Sequence, residues 1–372
     1  MRELGYKKVL FLVHREQILK QAQTSYKKVL SSDITTGLLS GNYKETDADY
    51  LFSTVQTMSK DDVLNSFAKD QFDCVIIDEA QRAWSMGRRP GETEPKMLLS
   101  VGDKTYEKYG KLTIICLIGE GQSIYKGEEK GMSLWTEALS ERNDWNVFIP
   151  QKYESEFEGI PGICLDNRLF LDVSIRNGFI DVSPWVEAVL KCDFERAKQL
   201  YQGIVDEGYE LYTFRDSANL IKTVNYVEKE YPGSSTGLII SSHTDERRTV
   251  GNTTYGKRIF GPQYAGSYIK AENAYGWFVN KSHRLEYAAS EFLIQGIELD
   301  WPIVTFMGDY YIENGEWKVA PDAINNGLED LPKAIENIYR VLLTRSRKGA
   351  FIYFPPLKCL TETYEWFRSM MQ

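Results

Sequence analysis

The sequence predicts an α/β fold in two domains, each a parallel sheet flanked by helices. Three observations predict it. Short apolar runs alternate along the chain with amphipathic stretches of helical period, which is the rhythm of βαβ units. The apolar runs are continuous rather than alternating, as in strands buried on both faces. The length, 372 residues, exceeds what one core fills, since cores stop growing near ~250–300 residues.

In order, KKVLFLV reads as a strand and REQILKQAQTSYKKVL as the helix that follows it. ADYLFSTV is a strand, KDDVLNSFAKD a helix, FDCVIID a strand and KLTIICLIG a further strand. MGRRPGETEP, residues 86–95, is a turn-rich exposed segment. A second break at EGIPGICLDNR, 158–168, sets the expected domain boundary: 1–160 and 161–372. Beyond it SPWVEAVLKCDFERAKQLYQGIVDEG and SANLIKTVNYVEKEY read as helical, and TGLIISS, WPIVTFMG and GAFIYF as strands. Residues 249–280, rich in Gly, Tyr and Asn, read as a long irregular insertion. No repeat of fixed period is present.

Composition narrows the class. Hydrophobic residues are 42%, aromatic 13% and charged 26%, a globular balance. No apolar run approaches the ~18 residues of a membrane span, and the N-terminus lacks a signal-peptide pattern. Five cysteines, with no C-x-x-C pair, read as reduced core residues and give a cytoplasmic expectation. Three histidines without ligand spacing argue against a structural zinc site. The net charge of −9 weighs mildly against a broad basic face, but a single strand needs only a local cationic groove.

The stretch FDCVIIDEAQRAW, 72–84, carries the most chemistry. A buried strand that ends on Asp78 and Glu79 sets two carboxylates at the carboxyl edge of a parallel sheet, where such folds bind ligands. The first suits Mg²⁺ beside nucleotide phosphates and the second suits an attacking water. The plainer reading is two solvated acids capping the next helix.

VIIDEAQRA resembles the Walker B box of nucleic-acid-dependent ATPases. VLFLVHREQILKQA and LFSTVQTMSK resemble motifs Ia and Ib of superfamily 2 helicases of the type III restriction-enzyme kind. That resemblance implies nucleic-acid contacts at His14, Arg15, Ser53 and Thr54. Hydroxyls and amides at a helix start suit phosphate oxygens. Read as residues alone, His14 and Arg15 also fit a surface loop pair, and Ser53 and Thr54 fit helix capping.

Downstream, DEAQRAW, IICLIGEGQSIYKGEEKGMSLWTEAL, LFLDVSIRNGFIDVSPWVEAVL, LEYAASEFLIQGIELDW and IYRVLLTRSRKGAFIYF resemble, in this order, Schlafen group 3-like DNA/RNA helicase domains, which are superfamily 1-like. The resemblance covers most of 72–355. It implies two RecA-like domains, ATP with Mg²⁺ as cofactors, and DNA or RNA, in single-stranded form, as partner. It assigns metal binding to Asp78, water positioning to Glu79 and nucleotide sensing to Gln122 and Gln295. It gives Gln295, Gly296 and Glu298 as motif V, and Arg176 and Arg345 as the arginines of motifs IV and VI. Other readings stand beside these: a salt bridge for Arg176, a helix cap for Glu298, and a basic turn closing a helix or touching nucleic acid for Arg345 to Lys348. The front segment is superfamily 2-like and the rest superfamily 1-like, for GEGQ stands where a Ser/Thr-Ala-Thr tripeptide would be.

One part is missing. A phosphate-cradling G-x-x-x-x-G-K-[ST] belongs before motif Ia, and the sequence has none. GNTTYGKR, 251–258, has the glycine spacing and Lys257, but Arg258 replaces the hydroxyl residue, and a flexible turn is the better account. The expectation is a first domain lacking its P-loop strand, in an N-terminally truncated helicase core that is weak or inactive alone. The cradle would come from a missing segment or a separate subunit. A non-catalytic remnant that binds nucleic acid or a partner is the alternative. Tyr255, Tyr264, Tyr275 and Trp277 of the insertion either stack bases or pack the insertion.

Overall fold

The computed structural model describes residues 5–14, 16–41, 43–68, 71–80, 93–110, 112–118, 131–170, 180–243, 253–265, 269, 274–294, 297–325 and 330–372. They form two units, Met1–Asp172 and Val173–Gln372. The division falls beyond the 160/161 boundary expected from EGIPGICLDNR, because that stretch forms a strand of the first unit.

The strands of the first unit are β1 (Val9–Val13), β2 (Thr36–Ser40), β3 (Tyr43–Lys44), β4 (Tyr50–Thr54), β5 (Cys74–Ile77), β6 (Thr113–Cys116), β7 (Val147–Ile149) and β8 (Ile163–Leu165). The main sheet runs β3-β2-β4-β1-β5-β6, with β7 and β8 as a separate parallel pair. Only β3 is antiparallel in the main sheet. All five residues of β1 and of β4 are buried, as the continuous apolarity required. Two cores follow from the pleat. Leu10, Leu12, Leu51 and Ile77 pack with Leu99, Leu134, Trp135 and Ala138 of helices Glu94–Tyr109 and Gly131–Ser140. Val9, Phe11, Val13, Phe52 and Ile76 face the other way, with Leu19, Ala22 and Tyr26 of helix Glu16–Val29.

The register brings four strand ends together. Val13 pairs with Thr54, Leu12 with Ile77, and Ile77 with Cys116. The residues that follow these ends share one edge. At the opposite edge Asp73 accepts the backbone N–H groups of Lys7 and Lys8 at 2.8 and 3.1 Å, tying the entry of β1 to that of β5.

The helix expected over KDDVLNSFAKD is one turn, Asp61–Leu64, after another short turn, Val55–Met58. Ser66 donates to the Val63 carbonyl, the local competition that disfavours a continuing helix.

In the second unit the strands are β9 (Glu210–Phe214), β10 (Thr236–Ile240), β11 (Ala289–Ser290), β12 (Trp301–Thr305), β13 (Tyr310–Glu313), β14 (Glu316–Val319) and β15 (Gly349–Tyr353). The sheet β11-β10-β12-β15-β9 is parallel. β13 and β14 form a hairpin whose Asn314 and Gly315 both have positive φ, 55° and 78°, as a tight right-twisted turn requires. The helical stretch 183–206 breaks at Cys192, φ 51°. Asp193 then caps Phe194–Asp206, its carboxylate accepting the Arg196 N–H.

Within the expected irregular insertion the described residues are largely helical. It contains helices Thr253–Phe260 and Ala274–Asn280. Phe260 and Tyr264 are fully buried with ring centroids 4.9 Å apart and planes tilted by 41°, and Trp277 is 2% exposed. Burial removes Tyr264 and Trp277 from base stacking and leaves them the packing role. GNTTYGKR is helical from Thr253 on, so it is neither a flexible turn nor a phosphate cradle, which needs its loop backbone before the helix. Gly251 and Asn252 lie outside the described residues.

Candidate functional site

In the first unit the site is the carboxyl edge of the main sheet. Leaving β5, the Asp78 N–H donates to the Leu12 carbonyl at 2.9 Å. Glu79 takes a positive φ of 55°, a strained setting for a non-glycine residue and one that recurs at functional turns. The strain is held by its neighbour. The Ala80 N–H donates to the Leu117 carbonyl at 2.8 Å, and the Ala80 carbonyl accepts the Trp135 indole N–H at 2.8 Å. Ala80 and Trp135 are 1% and 5% exposed, so both bonds are shielded from water. The turn is clamped from two sides and leaves Asp78 and Glu79 half-buried at the edge.

His14, just past β1, is buried. Its Nε2 lies 3.5 Å from Glu94 Oε2. Glu94 opens helix Glu94–Tyr109, where its negative charge meets the positive helix end. Thr93 caps that helix by accepting the Lys96 N–H. Cys116 stands at the end of β6, and burial, with Glu94 as a second influence, pushes its thiol up to about 12.

The Ser53 hydroxyl is fully buried and donates to the Leu39 carbonyl at 2.9 Å. Thr54 caps helix Val55–Met58, accepting the Thr57 N–H at 3.3 Å. Capping is thus what Thr54 does here, and the burial of His14 removes the surface-pair reading for it. Arg15 and Gln122 lie outside the described residues.

In the second unit two loops are stitched together. The Leu299 N–H donates to the Arg345 carbonyl at 3.0 Å, and the Arg347 N–H to the Leu299 carbonyl at 3.0 Å. Arg347 Nε bonds Glu298 Oε2 at 3.0 Å. Glu298 is therefore joined to the Arg-Ser-Arg loop rather than placed as a helix cap. Arg345 is 5% exposed. It follows Thr344, the C-cap of helix Leu331–Leu343. Ser346 shares a buried hydrogen bond of 2.7 Å with the Tyr209 hydroxyl. Arg176, Gln295 and Gly296 lie outside the described residues.

Sequence reasoning missed Trp135, Glu94 and Thr93, and the pairing of Arg347 with Glu298. Thr93-Glu94-Pro95 carries a readable helix-start signature, a capping residue followed by an acid and a proline. Nothing local marks Trp135, whose partner is 55 residues away.

Among the described residues no group of three or more His, Cys, Asp or Glu is arranged to hold a metal. No described helix is long and apolar enough to cross a membrane.

The family model for "Schlafen group 3, DNA/RNA helicase domain" matches residues 7–356. No curated protein matches the chain in sequence. Among solved structures the chain is similar to S. cerevisiae Dbp5 bound to RNA and ADP BeF3, at 12% identity and a TM-score of 0.42, covering 98% of this chain and 75% of that one. It is similar also to a DEAD box protein from the hyperthermophile Methanococcus jannaschii, at 10% identity and a TM-score of 0.30, covering 98% and 77%.

Proposed function

Because this chain belongs to the Schlafen group 3, DNA/RNA helicase domain family, we propose that it is the two-domain core of a nucleic-acid-dependent ATPase, a DNA or RNA helicase core that is weak or inactive alone. The observation that carries this reading is the Asp78-Glu79 turn, clamped through Ala80 at the carboxyl edge of a RecA-like parallel sheet. The donor set suits Mg²⁺, which needs only one or two carboxylates when phosphates and water complete its shell. Asp78 would hold it, and it would neutralise charge on the ATP phosphates.

Glu79, held half-buried by the strained turn, orients the attacking water. Gln122 and Gln295 sense the γ-phosphate, and Gly296 and Glu298 act with Gln295 as motif V. Arg176 and Arg345 stabilise the charge that develops on the transferring group, a role worth ~10³–10⁵ in rate. The Glu298–Arg347 bond supports this reading, because it joins the loop before β12 to the loop after helix Leu331–Leu343. His14, Ser53 and Thr54 are buried. We therefore take them to shape the edge where single-stranded nucleic acid lies, and leave phosphate contact to Arg15 and to backbone N–H groups there. Free cysteines suit a cytoplasmic setting.

The sequence holds no phosphate loop, so we take the cradle to come from a further segment or a separate subunit. The test is ATP hydrolysis by the purified chain with and without single-stranded DNA or RNA. Little turnover is expected, and robust turnover lost on Asp78→Ala would overturn the missing-cradle reading. The second reading, a non-catalytic nucleic-acid- or partner-binding remnant, rests on the same missing loop. Fluorescence anisotropy with single strands bears on both, since a phosphate groove requires affinity that falls steeply with salt. Salt-indifferent affinity would remove the nucleic-acid role, and an in-frame phosphate loop upstream of Met1 in the gene would favour the ATPase.

A further inference from the structure

Under the carboxyl edge of the second sheet lies a polar cluster that neither the nucleotide nor the nucleic-acid reading uses. Glu291 and Tyr339 are 0% exposed, and Asp309 and His243 1%. They come from four places in the chain. Ser241, Ser242 and His243 follow β10. Glu291 opens the short helix Glu291–Ile294 next to β11. Asp309 follows β12, and Tyr339 lies on helix Leu331–Leu343.

The contacts are specific. Glu291 Oε2 accepts the Ser242 N–H at 2.9 Å, and Ser242 Oγ lies 2.5 Å from Glu291 Oε1. The Tyr339 hydroxyl donates to Asp309 Oδ1 at 2.7 Å. His243 Nδ1 lies 2.6 Å from the Ile324 carbonyl, which only accepts, so that nitrogen carries its hydrogen. Among the described residues the groups that act on Glu291 are Ser242, the Asp309 carboxyl and the Tyr339 hydroxyl. Asp309 in turn faces His243, Ser241 and Tyr339.

Burying a carboxylate is costly, and two near each other resist joint ionisation. Burial is the main influence that pushes the Glu291 carboxyl up to about 7, with Asp309 adding to the rise and Ser242 opposing it. Burial raises Asp309 as well. The Ser242–Glu291 contact can run in either direction, from hydroxyl to carboxylate or from acid to hydroxyl oxygen. Hydrogen bonding therefore survives a change of protonation, while the buried charge does not.

We propose that Glu291, facing Asp309, is a proton-dependent brace that ties the exit of β10 to helix Glu291–Ile294 and to the helix leading into Arg345, and that loss of its proton loosens the tie. This goes beyond the ATPase reading and holds whether or not nucleotide is hydrolysed. Arg347, just past the latter helix, bonds Glu298. The sign follows from linkage. The folded chain holds this proton more tightly than the unfolded chain, whose carboxyl keeps its ordinary value of 4.5. The stabilisation is complete below that value and is lost as pH rises towards 7.

Hydrogen exchange of the full chain from pH 5 to 8.5, corrected for intrinsic rates, tests it. Relative to Glu291→Gln, wild-type opening at Thr236–Ile240 and Phe292–Ile294 should rise by up to about tenfold per pH unit as far as about pH 7, then level. Ser242→Ala removes a donor that favours the charged form and should move the levelling point to higher pH. The Val9–Val13 amides of the first unit serve as control. Parallel wild-type and Glu291→Gln profiles, or an equal change in the control amides, would overturn the proposal. If Glu291→Gln does not fold, an unmoved levelling point in Ser242→Ala overturns it instead.

Discussion

Replacing Trp135 by Phe should loosen the Asp78-Glu79 turn without touching either acid. The indole N–H is one of two bonds that hold Ala80, and its partner carbonyl is shielded from water. Removing the donor leaves a buried carbonyl unmatched, at a cost of about 1–3 kcal/mol. The narrower phenyl ring also gives up roughly 40 Å² of buried apolar contact, worth about 1 kcal/mol. The expected loss is therefore about 2–4 kcal/mol, confined to the first unit. Native-state hydrogen exchange at Cys74–Ile77 and Ala80 measures it, with the strand Trp301–Thr305 of the second unit as reference. A loss under about 0.5 kcal/mol would mean that the carbonyl finds another donor, and the clamp would not be what holds Glu79 at positive φ. A loss of equal size in both units would equally refute a local clamp.

Two further outcomes are expected in the second unit. Gly349→Ala would place a Cβ 2.3 Å from the Trp301 ring and 2.4 Å from the Glu210 carbonyl. Both neighbours are fixed in adjoining strands, so the cost should be about 1–3 kcal/mol, seen as faster exchange at Phe351–Tyr353; unchanged exchange would show that the strands part freely. A double-mutant cycle of Glu298→Gln and Arg347→Gln should give a coupling of about 0.2–1 kcal/mol that weakens with salt, because the Arg347 side chain is 42% exposed. A coupling above about 2 kcal/mol would contradict so open a pair.

Several elements were legible in the sequence because their causes are local. KKVLFLV, ADYLFSTV, FDCVIID, TGLIISS, WPIVTFMG and GAFIYF lie where strands form, since continuous apolarity makes no sense outside a doubly covered sheet. The Asn314-Gly315 hairpin was equally readable, through the positive φ that pair accepts, but was not read. The helices in 253–280 were hidden by Gly, Tyr and Asn, residues of middling or poor helix propensity. Phe260 and Trp277 are helical because burying those rings outweighs the propensity cost. In the site, Asp78 and Glu79 could be found because a strand end fixes where two consecutive acids must sit.

By itself, then, the sequence determined the buried central strands, their parallel arrangement and the edge at which the two acids emerge, because burial pattern and chain direction settle these within a few residues, while short edge strands such as Thr36–Ser40 and Tyr43–Lys44 were not legible in it. Only the tertiary structure decided that Trp135 clamps Ala80, that His14 turns inward to Glu94, that Arg347 takes Glu298, and that Glu291 and Asp309 are both buried within electrostatic reach of each other. Each of these depends on segments far apart in the chain meeting in space, and no local preference encodes which residue will be waiting on the other side.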